Sequence, residues 1–361
     1  MRSFFMIEKE AGMNGLKCAL ASAAVVGLFA AAAPVPAQAA DAVANFYKGR
    51  TIQVIVGFGP GGGYDLYART LARYMGKHIP GNPTIVPQNM PGAGGVKAMN
   101  YLYNVARKDG TFIGTFARGL VIEPLLGHAQ GTQFDATKFN WIGSVSNEVS
   151  VCAFWHTSGI KTWQDLQTKR TTIGASAAGA DSEIFPTVMR NMFKLPMKVI
   201  TGYSGGGADI NLGMERGEVQ GRCGWSWSSL LSQSRPLLDG KKINIVVQLA
   251  LQKHEDLPDV PLVMDIPTTP QNKAALRLIT SRQSIARPFA APPGVPAERV
   301  RALRAAFDAT MKDPQFLAEA KRLDLEVRPV SGPEVETLIK EIYASPPEVI
   351  KLAAQVEKSL D

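Results

Sequence analysis

Residues 51–65, TIQVIVGFGPGGGYD, decide the fold of this chain. The stretch opens with β-branched and aromatic residues and few polar breaks, as a strand covered on both faces would. Five glycines follow between positions 57 and 63, and from position 66 to 79 the apolar residues recur with helical spacing. A helix that begins in a glycine turn presents free N–H groups and the positive end of its dipole. The stretch therefore predicts an anion site.

The first forty residues are set apart by their composition. Residues 18–33 form a run of small and apolar residues after Lys17, and Ala37-Gln38-Ala39 supplies a small-x-small cleavage signature. This pattern is typical of a secretory signal peptide, and the apolar run is too short for a comfortable membrane span. We therefore assign residues 1–40 to a signal peptide and expect the rest of the chain to be exported and soluble.

The exported part is long enough for two domains. The chain carries a formal net charge of +8, but it has no cluster of Lys and Arg interleaved with aromatic residues, which argues against nucleic-acid binding. Cys152 and Cys223 both lie in strand-like runs. In an oxidising compartment they either pair or remain two buried thiols, and the sequence leaves both alternatives open.

The unit of strand, glycine loop and helix recurs along the chain. Further strands are predicted at residues 84–88, 111–117, 139–145, 150–155, 171–175, 197–201, 219–224, 242–249 and 279–291, with helices after residue 296. Alternating strands and helices indicate α/β layers with largely parallel sheets, which bind ligands at the carboxyl ends of their strands. The polar segment Ser146-Asn147-Glu148 predicts a crossing between two lobes.

Two motifs suggest enzyme or cofactor chemistry. Residues 57–62 match G-x-G-x-x-G, but residues 66–108 contain no Asp or Glu to hold a ribose, so we expect no dinucleotide. The four histidines are scattered singly, and we expect no metal or other cofactor.

Residues 202–206 match the nucleophile elbow G-x-S-x-G. A secreted hydrolase using Ser204 would need His254 as its base, and residues 252–256 around it are typical of a solvated loop. A glycine-rich anion loop requires fewer assumptions.

Several of these stretches together resemble one family. Residues 58–65, 89–95, 109–111, 202–207 and 292–296 look like the Bug or TctC-type solute receptors of tripartite tricarboxylate transporters, in order along the whole exported chain. The resemblance implies a type II periplasmic-binding-protein fold, with two α/β lobes and a ligand cleft between them. It also implies a monomeric periplasmic receptor that is not an enzyme. The receptor would close on a small organic acid and deliver it to the large and small permease subunits. A hydrolase using Ser204 and His254, or a receptor feeding a signalling partner, remains the alternative.

The resemblance also implies lobe boundaries and ligand contacts. Lobe 1 is expected at residues 41–147 and 282–361, and lobe 2 at residues 148–281. The expected ligand-binding residues lie on glycine loops and strand ends of both lobes: Phe58, Gly61, Gly62, Gly63, Tyr64, Asp65, Gly92, Ala93, Arg118, Ser176, Gly179, Ala180, Ser182, Tyr203, Ser204, Gly205 and Trp225.

Three of these positions depart from the family pattern. Tyr64 stands where a threonine is usual, and Ala180 stands where a serine is expected. Arg118 is either a bidentate carboxylate clamp or a surface arginine. Together with Trp225 and Trp227, these departures predict a pocket for a bulkier or aromatic acid.

Overall fold

The computed structural model describes residues 35–127, 131–176, 179–203 and 206–358. Within them the strands, in chain order, are β1 Thr51–Val56, β2 Thr84–Asn89, β3 Phe112–Thr115, β4 Asn140–Ser144, β5 Ser150–Trp155, β6 Thr171–Gly174, β7 Met197–Ile200, β8 Gly221–Ser226, β9 Ile243–Leu249, β10 Pro288–Ala291 and β11 Val330–Ser331. They form a six-stranded sheet of order β11-β4-β10-β3-β1-β2 and a five-stranded sheet of order β7-β6-β8-β5-β9.

Helices surround both sheets. In chain order they are α1 Val35–Tyr47, α2 Gly63–Met75, α3 Val96–Asn104, α4 Glu123–Leu126, α5 Trp163–Thr168, α6 Asp181–Phe193, α7 Gly207–Glu215, α8 Trp227–Asp239, α9 Pro270–Thr280, α10 Ala297–Thr310, α11 Pro314–Arg322, α12 Gly332–Tyr343 and α13 Pro347–Glu357. None of the helices in the described part of the chain combines the length and apolarity needed to cross a bilayer.

Strand β1 lies inside the first sheet and is covered on both faces, as its composition predicts. It pairs in parallel with β2 on one side and β3 on the other. Ile52, Val54 and Val56 pack into one apolar cluster with Tyr67 of α2, whereas Ile55 packs into the second cluster on the opposite face. This alternation follows from the two-residue period of a strand.

The sheets are mixed, so the expectation of largely parallel sheets is wrong. In the first sheet β10 runs antiparallel to both β3 and β4, and β11 is antiparallel to β4. In the second sheet β6 is parallel to β7 and β8, whereas β5 is antiparallel to β8 and β9. The antiparallel strands include β5 and β10, which the chain enters directly after crossing from one sheet to the other.

The glycine-loop units are confirmed at β1–α2, β2–α3, β6–α6 and β7–α7, whereas α1, α4, α5, α8 and α9 were not anticipated. Residues 279–291 form the end of α9, a 3-10 turn at Ser281–Ile285 and the short strand β10, not one strand. Helix α8 contains four serines and Pro236, a composition that disfavours helix. Tertiary packing of its buried Trp227 and Leu230 overrides that preference.

The chain crosses between the sheets after β4 and again before β10, and the two crossings are hydrogen-bonded to each other. The amide of Glu148 donates to the carbonyl of Gln283 over 2.9 Å, and the amide of Ala286 donates to the carbonyl of Ser146 over 3.0 Å. A third segment joins them, because the amide of Asn147 donates to the carbonyl of Arg328 over 3.0 Å. The lobe boundaries stay a prediction. The last helix, α13, which the prediction assigns to lobe 1, packs against α6 and α9 beside the second sheet.

Cys152 of β5 and Cys223 of β8 form a disulfide, which settles the pairing that the sequence left open. The two strands are antiparallel neighbours with a register shift at this position. The bridge lies within the second sheet and closes a sequence separation of 71 residues.

Candidate functional site

The glycine loop after β1 is shaped from inside by Asp65, in the first turn of α2. One carboxylate oxygen of Asp65 accepts the amide of Gly61 at 2.9 Å and Nε of Arg69 at 2.8 Å, and the other accepts the side-chain amide of Asn89 at 2.8 Å. Burial opposes ionisation of this carboxyl, but Arg69 and the amide donors outweigh it and lower the pKa of Asp65. Asp65 is therefore a positioning residue of the loop.

Tyr64 links this loop to the end of β3. Its ring stacks on Phe58 with the centroids 4.6 Å apart, and its hydroxyl accepts the backbone amide of Arg118 at 3.0 Å. The guanidinium carbon of Arg287 lies 4.8 Å from the centroid of the same ring, a cation–π distance. Burial raises the pKa of Tyr64, and the two arginines oppose the rise. The tyrosine stays neutral between two guanidinium groups.

Arg118 is buried, so the surface alternative is wrong, and its guanidinium reaches the second sheet. Nε donates to Asp181 over 2.6 Å, Nη1 donates to Glu148 over 3.0 Å, and Nη2 donates to Ser150 over 2.8 Å. Burial opposes the charged form, but Asp181 and Glu148 outweigh it and raise the pKa of Arg118. In this structure the guanidinium of Arg118 binds two carboxylates of the protein itself, those of Asp181 and Glu148.

Arg287, just before β10, makes a second connection of the same kind. Nη2 lies 3.2 Å from a carboxylate oxygen of Glu148 and donates to Ser229 of α8 over 3.0 Å. Glu148 also accepts the hydroxyl of Ser228. Burial would raise the pKa of Glu148, yet Arg287 and Arg118 together hold it below its usual range. Glu148 is therefore an anion held between two cations at the crossing.

Three helices of thirteen residues, α2, α6 and α8, begin at this junction. A Cβ added at Gly63, the first residue of α2, would lie 2.6 Å from Oγ of Ser229. A Cβ added at Gly119 would lie 2.8 Å from Nη1 of Arg282 and 3.6 Å from the carbonyl oxygen of Gly179. The loops of the two sheets thus meet in close contact. The helix dipoles and the arginines make the junction a favourable place for an anion.

The structure brings together some of the predicted site residues and leaves others elsewhere. The residues at the junction are Phe58, Gly62, Gly63, Tyr64, Arg118, Gly179 and Ala180. Gly61 and Asp65 shape the first loop, and Ser176 and Ser182 hydrogen-bond to each other over 3.0 Å within the loop before α6. Ser204 and Gly205 lie outside the described residues.

The other four predicted residues are not among those that meet at the junction. Gly92 and Ala93 are exposed in the loop before α3. The hydroxyl of Tyr203 donates to Glu218 over 3.3 Å. Trp225 is buried in the core. Its role as a pocket wall stays a prediction.

Sequence reasoning missed the arginines and serines that complete the junction, which are Arg282, Arg287, Ser226, Ser228 and Ser229. One signal was available for Arg287. It interrupts the otherwise apolar run of residues 285–291, and an arginine in such a run is buried only with a partner.

A further buried charge cluster adjoins the junction. Nη1 of Arg282 lies 3.2 Å from Glu123 and 3.9 Å from Asp181, and Nη2 pairs with Glu357 of α13. Burial, reinforced by Glu123 and Asp181 and opposed by Arg282, raises the pKa of Glu357 to about 8. One guanidinium thus faces three carboxyl groups, and burial favours the protonated form of Glu357.

Residues 252, 253, 255 and 256 are exposed in a loop, as expected, but His254 between them is buried. Its Nδ1 accepts the backbone amide of Asp256 at 3.1 Å, which leaves Nε2 to carry the proton toward Glu326 at 3.3 Å. Its ring also lies 6.2 Å from that of Trp227. Both ring nitrogens are engaged in structural hydrogen bonds, which provides no free base for a nucleophile.

No family model matches the chain. Protein BugT of Bordetella pertussis is 48% identical over 73 residues, which are 20% of this chain and 21% of BugT. That match therefore spans about a fifth of the curated relative.

Solved structures match over most of the chain. The periplasmic binding protein BugD superposes with a TM-score of 0.68 at 19% identity, covering 86% of this chain and 98% of BugD. The fold is that of the Bug/TctC-type solute receptors. A TctC solute-binding protein from Polaromonas gives 0.60 at 18% identity, covering 86% of this chain and 98% of its own. MatC from Rhodopseudomonas palustris, with bound malate, gives 0.63 at 18% identity, covering 86% and 99%.

These matches confirm the resemblance to the Bug/TctC-type receptors that the sequence motifs indicated. They also confirm the α/β fold class with two lobes. BugD is a periplasmic binding protein, and the Polaromonas protein is a solute-binding protein. In the Bug/TctC fold of this chain, the loops after β1, β3 and β6 meet the start of α8 around Arg118 and Arg287.

Proposed function

We propose that this protein is a periplasmic receptor that captures a small organic acid by closing its two lobes on it. It then delivers the acid to the large and small permease subunits of a tripartite tricarboxylate-type transporter. The observation that carries the proposal is the match in fold to BugD, TctC and MatC over more than four fifths of this chain. The malate bound to MatC supports a carboxylate as the ligand.

The charges at the junction support an anionic ligand. Arg118 and Arg287 lie where the first turns of α2, α6 and α8 come together, and a carboxylate accepts two parallel hydrogen bonds from a guanidinium. Asp181, which already pairs with Arg118, is partly exposed, whereas Glu148 is fully buried. A ligand carboxylate would therefore displace Asp181 and leave Glu148 in place.

Binding of a ligand carboxylate in place of Asp181 would also favour closure of the two lobes. Residues of the first sheet's loops and of the second sheet's helices both contact the same guanidinium groups. An acid bound to them would therefore favour the closed arrangement over an open one. The ligand shifts the equilibrium only by its difference in affinity for the two states. The domain division at residues 147/148 and 281/282 is part of this proposal, with α13 packing against the second lobe.

The direct test is a binding screen of the mature protein, unfolded and refolded to remove co-purified ligand. Aliphatic and aromatic mono-, di- and tricarboxylates are screened by thermal shift, and each hit is measured by calorimetry. A ligand that binds only the folded state raises the melting temperature by mass action. We expect at least one acid to bind with micromolar affinity or better, and Tyr64 and Arg118 predict an aromatic or bulky acid.

The screen has a matched pair of variants. Arg118→Gln should weaken binding of that acid at least ~10-fold, about 1.4 kcal/mol, whereas Arg322→Gln, an exposed arginine of α11, should not. Binding of no acid by refolded protein would contradict the proposal. Tight binding of aliphatic diacids without aromatic acids would overturn only the expectation of a bulky ligand.

A further inference from the structure

Polar contacts join elements of the two sheets at one edge of the junction. The loop of residues 252–256 follows β9 of the second sheet, and residues 324–328 lead into β11 of the first sheet. Nε2 of His254 lies 3.3 Å from a carboxylate oxygen of Glu326, and Nη2 of Arg328 donates to Glu255 over 2.6 Å. Nearby, Arg235 of α8 donates to Asp324 over 3.3 Å.

These contacts differ in how far water reaches them. The side chains of His254 and Glu326 are only 6% and 15% exposed, whereas those of the other two pairs are at least 41% exposed. Exposed ion pairs contribute little, because water screens the charges and long side chains lose entropy when they pair. The contact between His254 and Glu326 is therefore the one that holds the two segments together.

Little packing supports this contact. His254 and Glu326 both line a cavity of about 420 Å³ between α8 and α11, and both line a second cavity of about 290 Å³ beside the crossing segments. Atoms next to a void lose their dispersion contacts on that side. The two segments thus have room to separate, and the strength of the imidazole–carboxylate contact decides how firmly they stay together.

The charged groups near the imidazole are mostly acids. Nδ1 of His254 lies 3.7 Å from a carboxylate oxygen of Asp256, and Oε2 of Glu326 is buried without a donor among the described residues. Tyr67 of α2, which donates to the carbonyl of Glu326, stays neutral because burial raises its pKa to about 12. The charged residues that line the two cavities are Glu148, Lys253, Glu255, Asp256, Lys321, Asp324, Glu326 and Arg328.

These charges set the direction of the effect of protonation. Glu148 is already balanced by Arg118 and Arg287, and Nε of Arg328 lies 2.9 Å from the same oxygen of Glu326 that faces His254. Burial opposes a charged imidazolium, but in the closed arrangement each ring nitrogen lies within 3.7 Å of a carboxylate oxygen. In an open arrangement Glu326 would be removed from the imidazolium, so protonation favours the closed one.

We propose that His254 and Glu326 form a pH-sensitive latch between the lobes, which holds them closed more firmly when the imidazole is protonated. Histidine is the side chain that ordinarily changes charge between about pH 5 and 8. A hydrogen bond between charged partners is roughly twice as strong as one between neutral partners. The latch rests on the lobe closure of the proposed function, but it acts without a ligand.

The test measures closure in the refolded, ligand-free mature protein. Asp239→Cys in α8 and Arg322→Cys in α11, both exposed positions, carry nitroxide labels, and Cys152 and Cys223 stay joined in their disulfide. Pulsed electron–electron resonance gives the distribution of distances between the labels. Between pH 7.5 and pH 5.5 the ratio of the short to the long distance should rise about tenfold, the gain expected from a charged hydrogen-bond partner.

Two variants should lose this response. His254→Gln keeps a donor but cannot gain a charge, and Glu326→Gln keeps the backbone carbonyl that Tyr67 contacts but removes the carboxylate. In both, the ratio should change less than about twofold over the same pH range. His78→Gln is the matched control, because His78 pairs with Asp313 over 2.9 Å within the first lobe as predicted, and it should respond as the wild type does.

Thermal melts at both pH values verify that each variant is folded. A ratio that is independent of pH, that falls on acidification, or that responds equally in His254→Gln and Glu326→Gln would overturn the latch. A single distance at every pH would overturn it as well. Acid binding is measured separately at constant pH, so failure of the latch is distinguishable from failure of the proposed receptor function.

Discussion

Nε of Arg118 lies 2.6 Å from a carboxylate oxygen of Asp181, and this ion pair joins the turn after β3 to the first residue of α6. The two residues belong to loops of different sheets. In the receptor function that we propose, Asp181 occupies the position on the guanidinium that the acid ligand would take.

Asp181→Asn should raise the affinity for the acid found in the binding screen. The amide keeps the shape of the side chain but removes a negative charge that competes for Arg118 and repels an anion at the start of α6. We expect a gain of about tenfold in affinity, roughly 1.4 kcal/mol, measured by calorimetry at low salt. Asp239→Asn, an exposed position of α8, is the control for a unit change in charge. Unchanged or weaker binding in Asp181→Asn would contradict displacement of this carboxylate.

Gly63→Ala should hinder closure. The new methyl group would lie 2.6 Å from Oγ of Ser229 and 3.3 Å from Nη2 of Arg287, so the two loops could not approach as they do here. Overpacking of this kind costs roughly 1 to 3 kcal/mol, which predicts a loss of acid affinity of about tenfold or more in calorimetry.

The control for that variant is Gly59→Ala in the same loop, where an added Cβ meets no atom within 4 Å. Its affinity should match that of the wild type. Equal affinity in both variants would mean that contact between Gly63 and Ser229 is not part of the bound state.

Glu357→Gln should remove a pH dependence of stability. The pKa of Glu357 is raised to about 8 in the folded protein, above the value of an unfolded glutamate. The unfolded state therefore loses the proton first, and stability falls as the pH rises from about 5 to about 8. The slope for one proton approaches about 1.4 kcal/mol per pH unit.

Urea unfolding at a series of pH values measures this slope. In Glu357→Gln it should be shallower, whereas Glu348→Gln, an exposed residue of the same helix, should keep the wild-type slope. Identical curves for the wild type and Glu357→Gln would show that the carboxyl of Glu357 is already ionised at the lower pH.

Reduction of the Cys152–Cys223 disulfide should destabilise the protein. For a separation of 71 residues, the chain-entropy model gives about 4 kcal/mol. Urea unfolding with and without reductant measures the difference, and thiol alkylation followed by mass spectrometry verifies the redox state. A protein with both cysteines replaced by alanine should be insensitive to reductant. A midpoint that does not move on reduction of the wild type would contradict a stabilising role.

The local elements could be predicted because their signals are local. The buried strand β1, the glycine turn and the helix α2 follow from residue types within fifteen positions. Helices α8 and α9 escaped prediction because serine and proline content or weak apolar spacing made their local signal poor, and tertiary packing stabilises them instead.

The sequence by itself determined the α/β class, the glycine-loop units and the resemblance to the Bug/TctC-type receptors, since these depend on residue order along short segments. Only the tertiary structure decided which charges are buried together. Arg118 and Asp181 are 63 residues apart, and Arg287 and Glu148 are 139 apart. A buried charge is tolerated only beside its partner, and which partner it meets depends on how the two sheets pack, a property that no local pattern encodes.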